Sequence, residues 1–445
     1  MKLYKYLIDY NYVNSFDLKL LKEALVLPIS SDGIYCKFYV CKESNLKLLD
    51  LSLIIEEIEI SKNKIEFFLS DFNTRLDLYN RSENLIKQKE INPKLMEEFF
   101  NKLLEKALSL RTSDLHFESL ENSMIVRFRI DGELSCFYIF NKEFFKTISS
   151  YIKMLSKLDV TKVRNPQDGR FSFKTIDFRV STMPTIHGES IVIRVLDNLN
   201  VSEDLESMSF SSHIVDSFEN ITSLKEGLVL ITGPTGSGKS TTLYSLVKQL
   251  NSEDKKIITI EDPVEYKIEQ VQQVNINEDI ELGFNNVLKN ILRQDPNVIL
   301  IGEIRDAFSL SIALQASLTG HLVLASIHAN SSVDTISRLI DLKADRFLLA
   351  STLKYIVSQR LVSKLCTCKS TCEKCNYKGF LGRIGIAESL ACDSKIKTLL
   401  MKDDFLVEIE NYLKQKEYKT ILDDGLKKVE EEKTTLKELY KVVNS

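Results

Sequence analysis

The stretch Gly233-Pro234-Thr235-Gly236-Ser237-Gly238-Lys239-Ser240, followed by Thr241, constrains this 445-residue chain more than any other. It fits the pattern G-x-x-x-x-G-K-[ST]. The apolar run Leu228 to Thr232 leads into it, and a helical pattern with Leu243, Leu246, Val247 and Leu250 on one face leads out. Glycines reach backbone conformations closed to other residues, so several N–H groups can converge on one anion. The N-terminus of the following helix adds positive character at the same spot. Lys239 offers a full charge to the outer phosphates, and Ser240 a hydroxyl to Mg²⁺. The sequence predicts a nucleotide site here, between a buried strand and a helix.

Hydrolysis needs acids as well. Val298 to Ile301 is an apolar run ending in Gly302-Glu303-Ile304-Arg305-Asp306. A carboxylate just beyond a buried parallel strand sits where such sheets bind ligands, so Glu303 is the expected metal-side acid. Ile257 to Ile260 leads in the same way into Glu261-Asp262-Pro263-Val264-Glu265. Glu265 is expected to orient or deprotonate the attacking water. His321 and His328 bracket a third run, Leu322 to Ile327. Spacing alone leaves open whether a histidine there reads the terminal phosphate or is structural.

Composition narrows the class. With 44% hydrophobic and 27% charged residues, disorder and low complexity are excluded. The formal net charge of −4 disfavours stable nucleic-acid binding. No run approaches the ~20 apolar residues that span a bilayer, and Met1 to Leu20 lacks the apolar core of a secretory signal. The expectation is a cytoplasmic protein that reaches a membrane only through partners. Four of the eight cysteines, Cys366, Cys368, Cys372 and Cys375, crowd together. In a reducing compartment this favours a metal site over a disulfide framework, with free thiols the alternative.

Length suggests about three domains. Residues 1–90 read as an N-terminal domain with a strand at Tyr35 to Val40, a helix at Leu18 to Leu25, and a charged linker from Asn80 to Lys94. Residues 91–200 read as a small α+β domain. It opens on a helix with Leu95, Phe99, Leu103 and Leu104, then shows strands at Met124 to Ile130, Ser172 to Phe178 and Ser190 to Leu196, with a turn at Asp131-Gly132. Arginines recur along it. Residues 201–224 lack apolar periodicity and read as an interdomain linker and hinge. Residues 225–360 alternate short apolar runs with helical patterns, as an α/β core does. Residues 361–445 hold the cysteines and a helical tail.

The order of these motifs resembles the secretion ATPase superfamily of type II secretion and type IV pilus assembly. The resemblance runs from Ser113 onward. Ser113-Asp114-Leu115-His116, Val126 to Glu133, Gln167 to Arg170 and Phe178 to Leu196 are similar to segments of its Arg-bearing domain. Glu261 to Tyr266 resembles its Asp box, Gly302 to Asp306 its Walker B segment, and Thr319 to Asn330 its His box. Leu25 to Ile29, followed by Gly33, resembles its N-terminal docking domain more faintly.

The resemblance implies a RecA-like P-loop domain preceded by a small α+β, PAS-like domain and a short N-terminal domain. It implies ATP and Mg²⁺, with Lys239 and Ser240 holding them, Glu265 as catalytic carboxylate, Glu303 as the Walker B acid and His328 as phosphate sensor. It implies a homohexamer in which Arg179 and Arg194 reach a nucleotide between domains. It also implies an inner-membrane platform protein and a membrane-anchored cytoplasmic adaptor as partners. The cysteines fit structural Zn²⁺, although the first pair here is C-x-C and only three residues separate the pairs. Their presence favours an assembly motor over a retraction motor. A DNA-uptake or DNA-transfer ATPase is the alternative.

Overall fold

The structure, a computed structural model, describes residues 8–88, 92–196, 205, 208–276, 283–368 and 371–443. The chain divides into two compact units. One comprises Met1–Asp197 with Cys366–Leu381, the other Asn198–Leu365 with Gly382–Ser445.

The first unit holds two sheets. Strands β1 (Leu27–Ser31), β2 (Tyr35–Val40) and β3 (Ile54–Glu59) form a small one, antiparallel between β1 and β2 and parallel between β2 and β3. It packs on helices through Phe38, Tyr39, Ile65 and Phe68. The larger sheet uses β4 (Thr112–Ser119), β5 (Ser123–Ile130), β6 (Glu133–Asn141), β7 (Gln167–Phe173), β8 (Ile176–Thr185) and β9 (Gly188–Leu196), in the order β6-β5-β4-β9-β8-β7. Its pairings are antiparallel. Helices Pro93–Ser109 and Phe144–Leu155 supply Phe99, Phe100, Leu103, Ile148 and Ile152 to a core with Phe117 and Phe128. Alternation along the strands leaves the opposite face to polar residues.

The second unit is built on strands β10 (Gly227–Thr232), β11 (Ile257–Glu261), β12 (Gln272–Asn275), β13 (Val298–Ile301), β14 (Leu322–Ile327), β15 (Leu353–Leu365) and β16 (Phe380–Ala391). Their order is β12-β11-β13-β14-β10-β15-β16. The ladders from β12 through to β15 are parallel. β10, β13 and β14 are buried throughout. Their sequences, apolar but for Thr232 and Ser326, are those of strands covered on both faces, as a RecA-like sheet requires.

Register sets the site. Thr232 pairs with Ile327 of β14 and Ser358 of β15, and Ile260 pairs with Ile301. The residues one or two places further on therefore emerge together at the carboxyl edge: Gly233, His328, Gln359, Glu261 and Glu303.

The structure departs from the sequence expectations in four places. Most of Asn80 to Lys94 is helix and not linker: Phe72–Lys87 is one helix that buries Leu78 and Leu85, Pro93 opens the next helix with Asn92 as its cap, and residues 89–91 lie outside the described residues. Its charges are a solvated helix face. Ser172 to Phe178 spans a hairpin, with Lys174 at φ 55° between β7 and β8. Within 201–224, helix Ser212–Thr222 buries Ile214, Phe218 and Ile221 at helical spacing, so this part is core; residues 201–204, 206 and 207 lie outside the described residues. The boundary at 360 falls inside β15, and β16 joins the same sheet beyond it.

Candidate nucleotide site

The phosphate loop is shaped by positive φ values of 149° at Gly233, 79° at Gly236 and 88° at Gly238. A Cβ on Gly233 would sit 2.5 Å from the Gln359 carbonyl oxygen, so the close approach of β15 excludes any larger residue. Gly238 then caps helix Lys239–Leu250 in a left-handed conformation. Behind the loop, buried Gln359 donates from Nε2 to Ser237 O at 2.8 Å and accepts from Thr242 Oγ1 at 2.9 Å.

Lys239 Nζ donates to the carbonyls of Gly233 at 2.8 Å and Pro234 at 3.1 Å. Burial lowers its pKa, and the nearby Glu303 carboxylate partly raises it. Its bonded partners are neutral, so the ammonium can meet an anion without breaking an ion pair. This, with the helix N-terminus, is the chemistry a nucleotide phosphate needs. The Ser240 residue is exposed on the first turn.

Glu303 lies beyond β13 and is held from both sides. Its Oε1 is 3.2 Å from His328 Nε2, and its Oε2 is 3.0 Å from Arg305 Nε. Arg305 Nη1 reaches Asp262 Oδ2 at 3.5 Å, and hydrogen bonding to Glu303 raises the Arg305 pKa. Ser326 Oγ donates to Gly302 O at 2.6 Å and Ile304 N to Ser326 O at 2.8 Å, which fixes the turn carrying Glu303. A cavity of about 400 Å³ opens beside Gly233, Pro234, His328 and Asn330. The two histidines separate clearly. His321 Nδ1 lies 2.9 Å from Ala316 O and 3.1 Å from Thr319 Oγ1 at a helix end, whereas His328 faces Glu303 and the cavity.

Glu265 lies on the loop after β11, half-buried, and no protein partner of its carboxylate is found among the described residues. The acid that closes β11, Glu261, is buried instead. Desolvation pushes its carboxyl up to about 7, with Glu265 adding to the rise and Gln273 opposing it. Sequence reasoning missed Tyr244, Gln273, Gln359 and Arg360 around the site. Only Gln359-Arg360 left a signal, as polar residues following the apolar Ile356-Val357.

In the first unit, a cross-strand row runs Arg170, Arg179, Arg194, Asp114, Arg129 over β7, β8, β9, β4 and β5. Paired residues share a face. Arg194 Nε is 3.0 Å from Asp114 Oδ1, and Arg129 Nε is 3.5 Å from Asp114 Oδ2. Arg170 and Arg179 pair with no carboxylate among the described residues.

The four clustered cysteines place their sulfur atoms within 4.8 Å of one another. Three of the separations are 3.9, 3.9 and 3.7 Å, for Cys366–Cys372, Cys368–Cys375 and Cys372–Cys375. A tetrahedral site with Zn–S near 2.3 Å requires roughly 3.8 Å, so the compressed spacing still fits. The backbone N–H groups of Cys372 and Gly379 each point at Cys375 Sγ from 3.3 Å, an arrangement that suits a thiolate. Lys378, close by in the chain, reaches Glu133 at 3.4 Å and Ser135 Oγ at 3.1 Å.

Residues 89–441 match the family described as Type II/IV secretion system protein. The chain is 38% identical over 401 residues to the type II secretion system protein E of Dickeya dadantii, covering 84% of this chain and 80% of that protein. It is 36% identical over 403 residues to the type II secretion system ATPase E of Vibrio cholerae, with the same coverage. Among solved structures, the pilus retraction motor PilT with bound ADP aligns at a TM-score of 0.59 and 27% identity, over 77% of this chain and 96% of that one. The Legionella pneumophila ATPase DotB aligns at 0.65 over 80% and 97%, and at 22% identity shows the fold alone. With the phosphate loop, the strand-edge acids and the parallel sheet in place, the chain belongs to the Type II/IV secretion system protein family and is one of its P-loop ATPases.

Proposed function

We propose that the protein is a hexameric motor that hydrolyses ATP at the cytoplasmic face of the inner membrane to drive assembly of a type II secretion pseudopilus or a related pilus. The observation that carries this reading is the meeting of three strand ends: the Gly233–Ser240 loop, Glu303 and His328 share one carboxyl edge, with Glu303 Oε1 3.2 Å from His328 Nε2. In this reading residues 233–241 cradle the phosphates and Lys239 leaves its two carbonyls for the outer phosphates. Glu265, whose carboxylate has no protein partner among the described residues, orients the attacking water. His328 reports the terminal phosphate to Glu303. Mg²⁺, when bound, neutralises phosphate oxygens, and Ser240 and Glu303 are the residues that would hold it.

Phosphoryl transfer is catalysed by positioning and charge, and an arginine supplied from a neighbour can be worth ~10³–10⁵ in rate. Among the described residues Arg179 has no carboxylate partner, and it sits between Arg170 and Arg194, a local excess of positive charge that favours an arriving anion. Arg194 shares Asp114 and is the second candidate. The cysteine cluster would hold a structural Zn²⁺. An inner-membrane platform protein and a membrane-anchored adaptor are the partners this role requires, and the N-terminal domain is the proposed docking element. Among the described residues no helix is long and apolar enough to cross a membrane, which suits attachment through such partners.

The test is subunit mixing. Arg179→Ala and Glu265→Gln proteins, each inactive alone, should regain ATPase activity when co-assembled, because some interfaces then combine an intact arginine with an intact carboxylate. Mixtures as inactive as their parents would refute action between subunits.

A further inference from the structure

Helix Lys239–Leu250 carries Lys239 and Ser240 on its first turn and Tyr244 one turn later, 2% exposed. The Tyr244 hydroxyl donates to Glu261 Oε2 and accepts from the backbone N–H of Glu265 at 3.3 Å. Glu261 is anchored through its other oxygen, which accepts from Thr259 Oγ1 at 2.5 Å and Gln273 Nε2 at 3.2 Å. Gln273 grips the same loop twice more, donating to Tyr266 O at 3.0 Å and accepting from Ile268 N at 2.7 Å. The Tyr266 ring meets Tyr244 edge-on at 4.3 Å. The loop is thus fastened at Glu261, Glu265, Tyr266 and Ile268, and the fastening at Glu265 comes from the helix of the phosphate loop.

We propose that Tyr244 is a positioning residue for ATP hydrolysis. Its hydroxyl ties the Glu265 backbone to the helix bearing Lys239 and Ser240, and so fixes the separation between the water-orienting carboxylate and the phosphates. The inference rests on the reading of Glu265 given above. The physical need is plain. Glu265 lies on a loop, the phosphates on a strand–helix junction, and a misplacement of about 1 Å can cost ~10²-fold in rate. Buried Glu261 is the post against which the hydroxyl is aimed: a hydroxyl that donates to a fixed carboxylate presents its lone pairs in a fixed direction.

Tyr244→Phe keeps the ring and its contact with Tyr266 and removes the hydroxyl's two bonds, to Glu261 and to the Glu265 backbone. In the full-length protein, Y244F should lower kcat by ~10- to 100-fold while KM and fluorescent-nucleotide affinity stay within about twofold. In a Glu265→Gln background the same change should add nothing to the loss, since the group being positioned is gone. Hydrogen exchange across residues 262–268 should rise in Y244F, which reads the tie without turnover. Wild-type kcat in Y244F beside an inactive E265Q overturns the inference and leaves Glu265 standing. Wild-type turnover in E265Q overturns the reading of Glu265 itself, and the inference with it. Parallel loss of nucleotide affinity, additive losses in the double variant, or unchanged exchange each overturn the positioning role.

Discussion

Glu303 Oε1 lies 3.2 Å from His328 Nε2, joining the ends of two adjacent parallel strands directly beside the phosphate loop. The pair comes from residues 25 positions apart, brought level because Ile301 pairs with Ala325. A change at either strand end is therefore felt at the other. His328→Ala should reduce kcat by about 10- to 100-fold, within the range of a lost polar partner at a reacting phosphate, with little change in nucleotide affinity. His321→Ala, whose ring only caps a helix end, should leave turnover near wild type. Steady-state phosphate release for both variants checks this, and equal effects would remove the distinction.

Glu261 gives a pH prediction. Its folded pKa is raised from 4.5 to about 7 by burial. Below 4.5 the carboxyl is protonated whether folded or unfolded and costs nothing. Between there and about 7 the folded state holds the proton more tightly, so stability falls as pH rises, by up to ~3 kcal/mol once the group is ionised in both states. Glu261→Gln should remove this slope. Its melting temperature relative to wild type should be more favourable at pH 8 than at pH 5, and scanning calorimetry at the two pH values measures the difference.

Gly233→Ala tests the shape of the phosphate loop. The glycine combines a φ of 149° with a Cβ position 2.5 Å from a backbone oxygen, which cannot move aside as a side chain could. Nucleotide affinity should fall by ~5- to 150-fold, since strain of about 1–3 kcal/mol must be relieved by moving the loop. Titration with a fluorescent ADP analogue reads it directly.

The cysteine cluster predicts one zinc per chain. Metal analysis of purified protein should find it, and Cys372→Ser should lose it. Because Cys366–Leu381 belongs to the compact unit that contains the six-stranded sheet, chelation should lower that unit's melting temperature. Protein free of zinc with an unchanged melting profile would leave four reduced thiols.

Much of the site could be read in the sequence because buried parallel strands announce themselves. Val298 to Ile301 and Ile257 to Ile260 are short, apolar but for Thr259, and followed within two residues by an acid, so Glu303, Glu261 and Glu265 stand out without any knowledge of the sheet. Tyr244 and Gln359 do not. Each is a polar residue inside a regular element, and its role depends on which neighbour the packing presents: the β11 terminus for Tyr244, the phosphate loop for Gln359 through the β10–β15 register. Helix Phe72–Lys87 was obscured for another reason. It buries few large side chains, so its charged face dominates the pattern. Ser212–Thr222 shows the reverse, a true helical stripe of Ile214, Phe218 and Ile221 hidden by short length. The cysteine spacing marked a candidate ligand set, and the fold brings those four sulfur atoms within 4.8 Å of one another, a closeness that the spacing alone does not give.

The most direct test of the account is phosphate release from MgATP by the purified full-length chain, wild type against Glu265→Gln/Glu303→Gln, with nucleotide binding measured on both. The account predicts steady turnover by the wild type, and none above background in the double variant although it still binds ATP. Turnover that survives the loss of both carboxylates, or a wild-type protein that binds ATP and releases no phosphate, would contradict it.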